Sequence, residues 1–340
     1  MQNFEPGNPD NQHDPQKSNF HSYSTFITKP IGTSGVARLF APVGAGDMIP
    51  QLTPPIKPLK VVVITSVRDI GLDDQVGLKV PVRVGDSTQT ETKKMKGVVK
   101  SLIRESFGEF GKYIQVAGVI VDDVADEKEG RKILQAGYSI TPDNLTEEQK
   151  WIMNPNLKLP DGRYVKDITE HLPSSWRKIP KGMEEEKAAQ KLHYEKRLEQ
   201  KLLEMGADIV ISDHLLFRLQ YLHNEGNFKG RVLNIHPAIT WAEDPFVCRG
   251  LTPTKDTLER AQQYRNGAGD FYTGASLHFI ADEIDGGAVI ADCANTKVHP
   301  DWGPQDLRWN NYEQSKRPLI IEGLKYYASN IDMFDRYIKI

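Results

Sequence analysis

Apolar residues along this chain follow two rhythms. Four short runs are nearly continuous and rich in β-branched residues: Lys60–Ser66 (KVVVITS), Tyr113–Val121 (YIQVAGVIV), Ala207–Ser212 (ADIVIS) and Arg231–Ile235 (RVLNI). Such runs mark strands buried on both faces, as in a parallel sheet. Between the first two, Met95, Val98, Val99, Leu102, Ile103 and Phe107 recur at steps of three and four, which predicts a helix over Glu91–Phe107 with one apolar stripe. Strand, helix, strand is the unit of a parallel sheet with right-handed crossovers. Helical spacing returns over Met183–Met205, closed by Gly206 as a C-cap, and over Leu215–Glu225, closed by Gly226. Ser276–Ile280 (SLHFI) and Gly287–Ala291 (GAVIA), with a turn between them, predict an antiparallel pair at the sheet edge. A last helix over Pro318–Phe334 would bury Leu319, Leu324, Tyr327, Ile331 and Phe334.

Two stretches have neither rhythm. Residues 1–57 are rich in Asn, Gln, Pro, Gly and Ser; Met1–Ser18 reads as disordered, and Phe20–Leu52 as a segment that drapes over the fold or only links to it. Asp122–Lys181 is polar and broken by prolines, which suggests an insertion within the domain, with a lid or a partner surface as its roles. The prediction is an α/β fold with a doubly wound, mostly parallel sheet over residues 58–340. In such sheets ligands sit at the carboxyl ends of the strands. That directs attention to Asn234–Ile239.

Composition narrows the function. At 39% hydrophobic residues the chain can bury a full core, and a net charge of −3 with both signs interspersed is unlike a nucleic-acid-binding surface. No apolar run approaches the roughly 20 residues of a membrane helix. No signal-peptide pattern opens the chain, and its two cysteines, Cys248 and Cys293, lack metal-ligand spacing. A cytoplasmic protein without a metal is the expectation.

Asn234 and His236 lie two apart at a strand end, so they share a face, and Pro237 stops the strand. An amide donor beside a titratable imidazole can hold a carbonyl oxygen on which negative charge develops. The alternative is that Asn234 satisfies a turn and His236 sits on the surface. Asp285-Gly286-Gly287 is a turn between two apolar runs; its glycines allow positive φ and close backbone approach, and ordinary hairpin chemistry explains it too. Asp122-Asp123 reads as a strand-end cap or a metal ligand pair, and Asp213-His214 as a second dyad. Cys248 has no base nearby in sequence to make it a nucleophile.

Taken together, NIHP (234–237), the Arg249-Gly250-Leu251 loop, G-x-S-x-H-F (274–279) and the acidic turn ending in Asp285-Gly286-Gly287 resemble the folate-dependent formyltransferases. That family includes the glycinamide ribonucleotide, methionyl-tRNA and sugar formyltransferases and the formyltetrahydrofolate deformylase. The resemblance spans roughly Ala207 to Ala291 and implies 10-formyltetrahydrofolate as co-substrate, with Asn234, His236 and Asp285 as the catalytic set. It further implies a folate pocket from Leu216, Phe217, Leu219 and His278 and from the loop Ile280, Ala281, Asp282, Glu283, Ile284 and Gly286, and makes Asp213-His214 part of the pterin wall instead of a dyad. Arg249 and Gly250 would belong to the substrate side. In this reading Asp285 raises the pKa of His236, and a protonated His236 stabilises the formyl oxygen.

The acceptor is the open question. After the first strand, Thr65–Gly71 (TSVRDIG) lacks the small-residue cradle that a ribonucleotide phosphate needs. About 50 residues follow Ala291 and are not strongly basic, unlike the added tRNA-binding domain of the methionyl-tRNA enzymes, and the first 57 residues do not resemble a regulatory domain as in the deformylase. A small-molecule amine or hydroxylamine remains. Arg68 and Asp69, with Asp73 and Asp74, offer both signs of charge, which suits an amino acid, and the stretch resembles the N5-hydroxyornithine transformylases. A solvated loop, a nucleotide-linked amino sugar as acceptor, and hydrolysis to formate are the alternatives.

Overall fold

The computed structural model describes residues 30–33, 37–42, 52–65, 79–122, 156–213, 215, 217–250, 252–265 and 269–338. The strands are β1 (Pro30–Thr33), β2 (Arg38–Phe40), β3 (Leu59–Thr65), β4 (Lys79–Arg83), β5 (Thr90–Lys94), β6 (Ile114–Val121), β7 (Thr169–His171), β8 (Ile209–Asp213), β9 (Val232–His236), β10 (Tyr272–Phe279) and β11 (Val289–Lys297). Nine form one sheet in the order β1-β2-β11-β10-β9-β8-β3-β6-β7. Its centre, from β9 to β7, is parallel; β10, β11, β2 and β1 continue it antiparallel.

The α-helices are α1 (Val98–Glu105), α2 (Glu184–Glu204), α3 (Gln220–Asn224), α4 (Pro253–Arg265), α5 (Pro304–Asn311), α6 (Arg317–Ser329) and α7 (Ile331–Ile338). The β-branched runs are buried on both sides, as their sequence requires. Val61 and Val63 of β3 face one core with Leu102 and Ile103 of α1 and Leu324 and Tyr327 of α6. Their neighbours Val62 and Ile64 face a second core with Leu198 and Leu202 of α2. One strand feeding two helical layers is the doubly wound arrangement.

Several local expectations change. The helix expected over Glu91–Phe107 begins only at Val98, because Thr90–Lys94 pairs with Lys79–Arg83 as a hairpin. This hairpin is held on α5 by Arg83 with Asp306 at 2.8 Å and by the Gly85 amide on Asn310. Leu215–Glu225 is helical only from Gln220, since Leu215 and Phe217 pack into the second core from non-helical chain. The final helix is split at Asn330 into α6 and α7. Helix α4, helix α5 and the π-helical turn Tyr312–Lys316 lie where no element was expected.

The pair β10–β11 is not an edge. Within the N-terminal segment, Arg38 and Leu39 pair with Asp292 and Ala291 and so extend the sheet past β11. Within 122–181, β7 adds a parallel edge strand on β6. Asp122 caps a strand end, accepting the Ser174 amide at 2.9 Å; Asp123 and residues up to 155 lie outside the described residues. Among the described residues no helix is long and apolar enough to cross a membrane, and no group of three or more His, Cys, Asp or Glu could hold a metal ion.

Candidate functional site

Strand β9 ends the parallel part of the sheet, and its carboxyl end carries Asn234 and His236 on one face. Antiparallel pairing with β10 sets His278 across from Asn234 and Ser276 across from His236. The turn after β10 brings Asp285 over this face. Asp285 is the one non-glycine residue with positive φ (51°) among the described residues. The sequence placed that freedom in the glycines; the structure uses Gly287 for close approach instead, since a Cβ there would lie 1.8 Å from the Phe279 carbonyl oxygen. Aspartate tolerates the left-handed region better than most side chains.

Asp285 is the hub. Its Oδ1 accepts a hydrogen bond from Asn234 Nδ2 at 3.2 Å and lies 3.6 Å from His278 Nε2. Its Oδ2 accepts the Gly250 amide at 3.0 Å and lies 3.3 Å from His236 Nδ1. The other nitrogen of His236, Nε2, lies 3.1 Å from the Cys248 carbonyl oxygen. Both histidines are buried. Burial pushes His236 down to about 4, outweighing the upward pull of Asp285, so the expectation of a resting, protonated His236 is reversed. His278 is pushed down by the same cause. With His278 neutral, Nδ1 donates to the Phe279 carbonyl at 2.9 Å, and Nε2 accepts from Asn234 Nδ2 at 3.2 Å. This tautomer follows from the hydrogen-bond network.

The segment from Ile239 to Gly250 forms the rim. Ser276 Oγ accepts the Thr240 amide, the Cys248 amide donates to the Ile239 carbonyl, and Arg249 Nε donates to the Thr240 carbonyl. Arg249 also reaches Glu283 at 3.5 Å. Cys248 contributes its carbonyl; its thiol is buried and its pKa pushed up, the opposite of a nucleophile's. From the far edge, Arg38 grips Asp292 at 2.6 and 2.7 Å and the rim residue Asp244 at 2.7 Å, with its guanidinium over the Trp241 ring. Neither the carbonyl nor Arg38 was identified from the sequence. A backbone atom has no residue signature, and Arg38 is 254 positions from Asp292.

Beside this strand-end face lies an apolar wall. Phe217 packs edge-on against Trp176 and Tyr194, and Leu219, Leu222 and Ile280 join the same cluster. Ala281–Gly286 forms a loop next to it. Asp282 accepts from Asn224 and lies 3.3 Å from His223 Nε2, the Gly286 amide donates to the Glu283 carbonyl, and Ile284 is exposed. Thus Asn234, His236, His278, Asp285 and Gly250 come together, Arg249 joins through Glu283, and Phe217, Leu219 and Ile280 share the wall. Leu216, His214, Arg68 and Asp69 lie outside the described residues. Asp213 accepts from Lys316 at 3.2 Å.

Residues 172–317 match the formyl transferase family model. The solved structure of PvdF of pyoverdin biosynthesis, described as an N10-formyltetrahydrofolate-dependent formyltransferase, is 30% identical with a TM-score of 0.65, covering 79% of this chain and 99% of that one. Phosphoribosylglycinamide formyltransferase of Haemophilus influenzae is 32% identical over 97 residues, 28% of this chain. The match spans 39% of that relative's length.

Proposed function

The chain belongs to the folate-dependent formyltransferases, and from that premise we propose that it moves the formyl group of 10-formyltetrahydrofolate to an amine or hydroxylamine of a small amino acid, N5-hydroxyornithine being the favoured acceptor. The observation that carries the chemistry is Asp285 joined to both Asn234 and His236 on one strand-end face. The folate would supply the formyl group, its pterin lying against Phe217, Leu219 and Ile280 with Ala281–Gly286 along its edge. Asn234 Nδ2, whose two hydrogens point to Asp285 and His278 at rest, would exchange the bond to His278 for one to the formyl oxygen as negative charge grows. His236, neutral at rest with its proton on Nδ1 toward Asp285, would take the proton of the attacking amine at Nε2, in place of the contact with the Cys248 carbonyl. The imidazolium so formed lies against Asp285, which stabilises it; as the tetrahedral intermediate collapses the bond from the formyl carbon to N10 breaks, and the imidazolium returns its proton to N10, releasing tetrahydrofolate and the N-formyl product. Arg249 and Gly250 border the substrate side.

The acceptor class is supported by the likeness to an enzyme of pyoverdin biosynthesis over 99% of that chain's length. It is supported too by Thr65–Gly71, which has none of the glycine and serine spacing of a phosphate cradle. Both cysteines are free, in keeping with a reducing, cytoplasmic setting.

The test is to mix the protein with 10-formyltetrahydrofolate and follow tetrahydrofolate by absorbance with N5-hydroxyornithine, ornithine, lysine and nucleotide-linked amino sugars. Acceleration by N5-hydroxyornithine is expected. Acceleration only by an amino sugar would replace the acceptor class, and amine-independent formate release would make the protein a hydrolase.

A further inference from the structure

A recess opens next to Pro237, the residue that follows His236. Lys96, Thr254, Arg308, Asn311 and Lys316 line it with Pro237. Lys316 is 5% exposed, and its Nζ donates to Asp213 Oδ1 at 3.2 Å. Asp213 is 3% exposed and is the last residue of β8. Its strand neighbours place it at the ligand-binding edge of the sheet: Asp213 pairs with Thr65, and Ser212 beside it pairs with Asn234.

A buried ion pair is a poor device for stability, because well-packed apolar residues in its place often do as well or better. The backbone around Lys316 is also unusual. Lys316 closes the π-helical turn Tyr312–Lys316, a geometry that concentrates at functional sites. The turn is fixed by Tyr312 Oη on the Gly97 carbonyl at 3.0 Å and by Ser315 Oγ with Thr296 Oγ1 at 2.7 Å. An ammonium has three donors. Asp213 occupies one, and Lys316 lies near enough to His236 for its charge to help keep that histidine neutral. Around it, Lys96 pairs with Glu313 at 2.6 Å. Lys96, Arg308 and Lys316 put cationic side chains on the lining of the recess.

We propose that this recess receives the acceptor, and that Lys316, seated on Asp213, takes the carboxylate of an amino-acid acceptor while its distal amine or hydroxylamine reaches the Asn234–His236–Asp285 face. This rests on the acceptor class proposed above. Lys316 is then a specificity residue: it selects for the carboxylate at the end of the acceptor remote from the reaction.

The experiment compares kcat/KM for N5-hydroxyornithine and for its decarboxylated counterpart, N-hydroxyputrescine, with 10-formyltetrahydrofolate saturating, in the full chain. One charge-assisted contact predicts that the wild type prefers the carboxylate-bearing acceptor by about 10- to 100-fold. In Lys316→Met the preference should collapse to within about threefold. Because that variant leaves Asp213 buried without its cation, Lys316→Met with Asp213→Asn provides a neutral pair, and the same collapse is expected. A wild type that uses both acceptors equally would overturn the carboxylate assignment while leaving formyl transfer to amines intact. So would a variant that keeps the full wild-type preference. Turnover of an amino sugar but of neither hydroxylamine would remove the acceptor class itself, and this assignment with it.

Discussion

Asp285 holds four neighbours with two oxygens, and each neighbour is a donor or a ring nitrogen at the end of β9 and β10 or in the rim. Replacing it with asparagine tests that role with little backbone confusion, because asparagine also accepts the left-handed φ of 51° found there. The new amide would put a second donor against one of two existing ones, the Gly250 amide and Asn234 Nδ2, which bond to opposite oxygens. It would also remove the charge that stabilises a protonated His236. We expect Asp285→Asn to lower kcat by about 100-fold or more, the scale of a lost acid–base partner, with circular dichroism unchanged. A kcat within threefold of wild type would remove Asp285 from the mechanism. The two-residue period of a strand shows in the chain that Asn234 and His236 share a face; that Asp285 returns to it came from the family resemblance, because Asp-Gly-Gly by itself marks only a turn. The charge state of His236 was not readable, because it depends on burial by segments far away in sequence, and that burial outweighs the nearby carboxylate.

At the scale of elements, the antiparallel flank does more than complete the sheet. Strand β2 carries Arg38 into contact with Asp292 of β11 and with Asp244 of the rim that delivers the Cys248 carbonyl to His236. Asp292 is fully buried. Arg38→Met would strand it, and removing one partner of such a pair costs roughly 3–5 kcal/mol. Arg38→Met combined with Asp292→Leu and Asp244→Asn should recover much of that loss, since all three charges are gone. Urea unfolding of the two variants checks this; equal stabilities would mean that Arg38 contributes packing rather than charge. Sequence patterning could not anticipate β2, a three-residue strand in a polar, glycine-rich context whose partner lies at the other end of the chain. It misread Thr90–Lys94 for a related reason. The apolar spacing from Met95 onward is helical, and only pairing with Lys79–Arg83 shows that the helix waits until after Gly97. The parallel core strands were legible because burial on both faces leaves a continuous apolar run that needs no partner to be recognised.

For the molecule as a whole, two buried groups set opposing dependences of stability on pH. His236 has its pKa lowered from 6.5 to about 4. As pH falls below 6.5 the unfolded chain takes the proton first, so this histidine's contribution is present at neutral pH and is lost between about 6.5 and 4. Asp292 is raised from 3.8 to about 6 by burial, against the pull of Arg38. As pH rises above 3.8 the unfolded carboxyl ionises first, so its contribution is present in acid and is lost between 3.8 and about 6. Over the shared window from about 4 to 6, one proton's worth of linkage runs each way and the two slopes nearly cancel. His236→Gln removes one side. His223 and His278, lowered by burial as well, tilt the curve in the same sense as His236, but they remain in both proteins. The stability of wild type minus that of His236→Gln should therefore rise with pH through this window, by up to about 1.4 kcal/mol per pH unit for one proton. Urea midpoints at pH 4.5, 5.5 and 6.5 give that difference directly. A flat difference would mean that His236 titrates alike in the folded and unfolded chain, and the neutral resting imidazole on which the proposed proton transfer depends would have to be abandoned.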